Sequence, residues 1–138
     1  MKLWSNLLFA GSMCIFGQAF AAPVYLECDL TNDEGGKSNA QITIDEDTRK
    51  ITHTDFIGRA FNTEGFFTSN TVSYQKSEIN DVSRTVNSYD IDRTTLEYEH
   101  NFRMDAADEE IRVSSPDLVV EYTIRGVCAV ASTEGRKI

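Results

Sequence analysis

The sequence predicts an all-β fold, a single antiparallel sandwich or a small closed β-barrel of about eight strands, after an N-terminal signal peptide. Three observations carry that prediction. Apolar and polar residues alternate with a period of two through most of the chain, the pattern of strands buried on one face. Clusters of Asn, Asp, Gly and Ser interrupt the alternation at intervals of roughly 8 to 14 residues, as short strands joined by turns require. No apolar pattern of helical period is sustained over the length of a helix.

The opening residues read as an export signal. Lys2 is the only charged side chain before Glu27, residues 7–16 (LLFAGSMCIF) are apolar, and Ala19-Phe20-Ala21 supplies the small-x-small pattern that signal peptidase reads. Cleavage is expected between Ala21 and Ala22, with Pro23 just beyond. The apolar stretch is too short for a membrane span, which needs roughly 20 apolar residues. Cys14 is a poor lipidation site, because Met13 stands where a small residue belongs. The expected organisation is a signal over 1–21, a β domain over 22–131 and a flexible tail over 132–138. Removing 21 of 138 residues leaves 117, enough for one hydrophobic core.

Cleavage also settles the cysteines. The chain has three, and loss of Cys14 leaves Cys28 and Cys128, an even count in an oxidising compartment. One disulfide between them is expected, tying the first strand to the last. The expected location is therefore secreted or periplasmic.

The strands follow in order. In "VYLECDL", Val24, Leu26, Cys28 and Leu30 share one face against Tyr25, Glu27 and Asp29. "NAQITID" aligns Ala40, Ile42 and Ile44. The polar turn "TNDEGGKSN" separates these two strands, and "DEDTRK" turns the chain into "ITHTDFI". "RAFNTEGFFTSNTVSYQK" holds two strands broken near Gly65 or Ser69-Asn70. Within it the adjacent Phe66 and Phe67 must point to opposite faces, so one of them is a candidate contact residue. "RTVNSYDI" and "TTLEYEHNF" form a hairpin around Asp92-Arg93, with Leu96, Tyr98, His100 and Phe102 on one face. "MDAADEE" is a polar loop, "EIRVS" a short strand and Pro116 a breaker. "LVVEYTIRGVCAV" is a long last strand in which Gly126 suits a bulge or bend.

Charge restricts the function classes. The formal net charge is −9, and losing Lys2 with the signal makes it −10. No basic run exists, so nucleic-acid binding is excluded on phosphate electrostatics. Acidity of this size suits encounter with a protein that has a basic surface.

Signatures of catalysis are sparse. "EGGKS" ends like a phosphate loop, but Thr31 stands where the first glycine belongs and a strand pattern follows instead of a helix. No GxSxG elbow and no HExxH occur. "DEDTRK" and "DAADEE" lack the glycine and closing glutamate of an EF-hand. His53 and Asp55 share a strand face, and His100 from another strand would complete a two-histidine, one-carboxylate metal set. These three are the weak metal candidates, and no metal or other cofactor is otherwise expected. The stretch "YDIDRTT" offers Asp90, Asp92 and Arg93 as a candidate binding cluster. Tyr74, Tyr89, Tyr98 and Tyr122 with Phe56, Phe61, Phe66 and Phe67 are either core and cross-strand pairs or the lining of a ligand cavity.

In size, export signal and single disulfide the chain resembles small periplasmic β-barrel inhibitors, including those directed at lysozyme. The Ser-Gly-x-x-Tyr loop with which such inhibitors plug the enzyme does not occur here, so the resemblance implies an architecture and no site. The expectation is a non-enzymatic binding protein, an inhibitor or envelope accessory factor. A small-molecule binder using a barrel interior is the alternative, and an enzyme the remote third.

Overall fold

The structure, a computed structural model, describes residues 22–131. The predicted signal up to Ala21 and the predicted tail lie outside the described residues. Nine strands and one short helix make up the rest: β1 (Val24–Asn32), β2 (Lys37–Asp45), β3 (Lys50–Thr54), β4 (Ala60–Glu64), β5 (Phe66–Phe67), β6 (Thr71–Ile79), β7 (Ser83–Asp92), β8 (Glu97–Ala106), α1 (Glu109–Ser114) and β9 (Val120–Val130).

All strands join one antiparallel sheet in the order β4-β3-β2-β1-β9-β8-β7-β6-β5. The chain meanders from β1 out to β4, crosses at Gly65, and meanders back from β5 to β9, which pairs with β1. The sheet curls until its two edges meet. Thr63 Oγ1 on β4 donates to the Gln75 carbonyl on β6 at 3.0 Å, and the Gly65 amide donates to the Arg49 carbonyl at 2.8 Å. The result is a nearly closed barrel, not a sandwich, as the up-and-down order requires.

The period-two pattern does its work at the interior. Leu26, Ile42, Ile44, Ile51, Val72 and Ile91 fill one half of the barrel. Cys28 and Cys128 are direct cross-strand partners on the β1–β9 seam and form the predicted disulfide, with Cα atoms 3.9 Å apart. That half is closed at its end by the turns 46–49, 65–70 and 93–96. Arg93 ties all three together, with Nη1 and Nη2 donating to the Glu46 carboxylate at 3.1 and 2.7 Å and Nη1 to the Thr68 carbonyl at 2.7 Å.

One element departs from expectation. The stretch "EIRVS" was expected as a strand and is the helix α1. Asp108 caps it, its carboxylate accepting from the amides of Glu110 at 2.8 Å and Ile111 at 3.3 Å. Glu109 and Glu110 occupy its first turn and Arg112 its last, the order the helix dipole favours. A capped acidic turn outweighs the alternation of Ile111 and Val113, which had no pairing strand to satisfy it.

Gly126 is required for a different reason than a bulge. A Cβ there would lie 2.1 Å from the Asp29 carbonyl oxygen. Strands β1 and β9 approach too closely at this point for any side chain. Leu30 and Tyr98, its partners on either side, fill the space.

Candidate functional site

The second half of the barrel is not filled. A cavity of about 430 Å³ opens at the end opposite the turns 46–49, 65–70 and 93–96, lined by residues of eight strands, all but β5. Six of the rings at this end form a continuous ribbon of contacts. Phe61 stacks on His53 at 5.1 Å between centroids, His53 meets Tyr89 at 4.8 Å, and Tyr89 stacks on His100 at 4.3 Å. His100 meets Tyr122 edge-on at 6.3 Å, and Tyr122 stacks on Phe102 at 4.5 Å. Tyr74 stacks on the other side of this ribbon, 4.7 Å from Tyr89. The register explains the ribbon. Tyr74, Tyr89 and His100 are direct partners across β6, β7 and β8, so alternation within each strand aligns them on the inner face.

Both imidazoles are held neutral. Burial lowers the His53 pKa to about 4, helped by repulsion from His100. Burial alone lowers His100 to about 4. His53 Nδ1 shares a hydrogen bond with the Tyr74 hydroxyl at 2.9 Å, and His100 Nε2 with Asn87 Oδ1 at 2.8 Å. Burial also pushes the Tyr74, Tyr89 and Tyr98 hydroxyls well above their ordinary range. Charges at the mouth are internally paired. Lys76 bonds Glu78 at 3.1 Å and sits 5.0 Å from the Phe61 ring centroid. Arg59 bonds Asp55 at 3.1 Å. Burial works against ionisation of Asp55, but the Arg59 amide and guanidinium outweigh it and hold its carboxyl below the usual range.

The site thus presents ring edges, hydroxyls and neutral imidazoles to an entering group, and the charged residues that line it, Lys76 with Glu78 and Arg59 with Asp55, are paired with one another. Such a lining suits binding through shape and uncharged hydrogen bonds.

The structure brings some predicted residues together and separates others. His53, Asp55 and His100 do line one cavity. The Tyr89 ring stands between the two imidazoles, and among the described residues no group of three His, Cys, Asp or Glu side chains is close enough for a metal. Phe61, Tyr89 and Tyr122 belong to the site, as the cavity reading of the aromatics expected. Phe67 packs inward against the core and Phe66 is exposed towards the closed end, which confirms their opposite faces. Asp90 accepts from Ser73 Oγ at 2.5 Å on the outer face, and Asp92 caps its own turn through the amides of Thr94 and Thr95, both at 2.8 Å. Arg93 is committed to Glu46 at the closed end. "YDIDRTT" is therefore a fold-closing device more than a cluster. Lys76 and Asn87 were missed, because nothing in their own strands marks them; only the register places them beside Phe61 and His100.

The histidines give a pH prediction. Their folded pKa of about 4 lies below the unfolded value of 6.5, so the unfolded state takes up protons first as pH falls. Their contribution to stability is complete above pH 6.5 and is lost between 6.5 and 4. For His53 it is about 3 kcal/mol at most. Thermal unfolding from pH 8 to 4 will show Tm falling through this window, and His100→Gln will flatten the fall. The carboxylates held low by partners, Asp105 by Arg84 above all, act only below that range.

Compared with known proteins, the chain matches no family model, no curated protein and no solved structure.

Proposed function

We propose that this is a secreted or periplasmic, non-enzymatic binding protein that receives its ligand in the open end of the barrel. The observation that carries the reading is the cavity itself. Small barrels ordinarily fill their interior with side chains. Here one end leaves about 430 Å³, within the range of ligand sites and walled by rings, against about 260 Å³ beside Leu26, Ile91 and Arg93 at the other. The disulfide fits an oxidising compartment, which agrees with the export signal.

Ser38, half-buried on the cavity wall and on the same face of β2 as Ala40 and Ile42, offers a test outside the buried core. Ser38→Trp fills the mouth. The oxidised protein and this variant are each immobilised and exposed to envelope extract of the bacterium that exports them. Recovered proteins and small molecules are then compared by mass spectrometry. A species held by the parent and lost by Ser38→Trp, at unchanged Tm, is the expected result. Species held equally by both place the binding surface elsewhere.

A further inference from the structure

The loops around the open end carry an unusual load of exposed apolar side chains. Four connections surround the mouth: residues 33–36, 55–59, 80–82 and 107–119. Phe56 and Ile57 stand on the second, 67 % and 56 % exposed. Ile79 and Val82 flank the third turn, 73 % and 80 % exposed. Val113 and Leu118 stand on the last, 77 % and 63 % exposed. The other end carries fewer, Val24, Phe66 and Val130 among the described residues. Single exposed apolar residues are normal, but three loops converging on one mouth with their largest apolar groups outward are the pattern of a docking surface.

The same four connections are acidic. They carry eight carboxylates against two arginines, Arg59 and Arg112. The two arginines offset only two of them: Arg59 is paired with Asp55, and Arg112 donates to the carbonyls of Ala106 and Ala107, both at 2.9 Å, so the connections keep a net charge of −6 (8 carboxylates less 2 arginines). An apolar crown set in a negative field does not suit a second copy of this chain or an anionic membrane, since both carry the same sign. It suits a basic protein surface with an apolar group at its centre.

We infer that the crown docks a basic protein, and that the partner inserts one aromatic or aliphatic side chain, flanked by lysines or arginines, into the cavity beneath. This rests on the proposed function of the same cavity and names its occupant. The crown supplies the buried apolar contact, the acidic loops steer the partner and pair its cations, and the ring-lined cavity receives the central side chain. A free small molecule would use the cavity but would leave the crown without a role.

The probe is a synthetic peptide, KRWRK, with EEWEE as its charge control and phosphatidylcholine vesicles as the lipid control. Each is titrated into the exported, oxidised protein and into two variants. One removes the crown (Ile57→Ser, Val82→Ser and Val113→Ser together, all exposed and outside the core); the other is Ser38→Trp. The expected result is binding of KRWRK and not of EEWEE. Affinity should fall by about tenfold or more in the crown variant and also at high salt, where surface charge is screened. Equal binding of both peptides, equal binding by parent and crown variant, or binding of vesicles without KRWRK overturns the inference. Loss in the crown variant with full binding by Ser38→Trp keeps the crown as a basic-partner surface. That outcome refutes insertion and the cavity reading beneath it. Loss in both variants supports the two together.

Discussion

Replacing Cys28 and Cys128 together by alanine will cost about 4 to 5 kcal/mol of folding stability. The bridge spans a sequence separation of 100 residues, so its removal restores to the unfolded chain nearly all the freedom that a crosslink can withhold in a domain of this size. The loss is a large part of the roughly 5 to 15 kcal/mol that holds a typical domain folded. The topology makes the position matter as well. Every other neighbouring pair in the sheet is joined by a turn or by the short crossing at Gly65, but β1 and β9 meet from opposite ends of the domain. Their pairing closes the longest loop in the fold. Urea unfolding of oxidised parent and double variant measures the difference, with a midpoint lowered by about 2 M expected. Hydrogen exchange should show the β1–β9 amides opening first in the variant. A midpoint shift of a few tenths of a molar would mean the seam holds without its bridge.

Gly126→Ala is the second large effect. The added methyl would start 2.1 Å from the Asp29 carbonyl oxygen and 2.8 Å from Leu30 Cδ2. Leu30 can rotate, but the carbonyl belongs to the β1 backbone and is held by the ladder on either side. Relief therefore requires β1 and β9 to move apart next to the disulfide. The expected cost is about 3 kcal/mol or more, the upper end of overpacking penalties. Thermal unfolding checks it. The neighbouring Arg125→Ala, whose guanidinium reaches Glu99 at 3.3 Å on the exposed outer face, should cost under about 1 kcal/mol and serves as the control.

How far the sequence reveals the molecule depends on the link being asked about. Alternation in "VYLECDL" and "NAQITID" identifies β1 and β2 and their inward faces, because a strand with one face buried states its own orientation. The disulfide follows from the two cysteines left once residues 1–21 are read as a signal, and the structure forms it between Cys28 and Cys128. What alternation does not carry is register. Nothing local shows that Tyr74, Tyr89 and His100 lie side by side, or that Arg93 reaches a carboxylate 47 positions earlier. The candidate site is made of such long-range coincidences. His53, Asp55 and His100 could be singled out as chemistry-bearing types, but the Tyr89 ring between the imidazoles turns a metal set into an aromatic wall. The helix α1 was misread for the opposite reason. Its cap at Asp108 and its acidic first turn are local signals, and two alternating apolar residues hid them.

The apolar crown was legible only in part. Phe56 and Ile57 look like a strand end in "ITHTDFI", and Ile79 and Val82 look like the edges of a turn. Their convergence needs the barrel to close, which puts four connections around one mouth. The structure thus makes two ends with different tasks. At one, Arg93 ties Glu46 to the Thr68 carbonyl across three turns; the other is open, ringed by carboxylates and apolar tips, and floored by neutral histidines.

The two histidines of the chain both line that floor, which makes one measurement decisive. Oxidised protein with labelled histidine gives two ring resonances in a carbon–proton NMR spectrum. Recorded from pH 8 to 3, and then at pH 7 with and without KRWRK, they report directly on the cavity. The account predicts that both rings stay neutral until about pH 4 and that both resonances shift when the peptide binds. Two rings titrating near pH 6.5, unmoved by peptide, would mean exposed histidines and no receiving cavity at the open end.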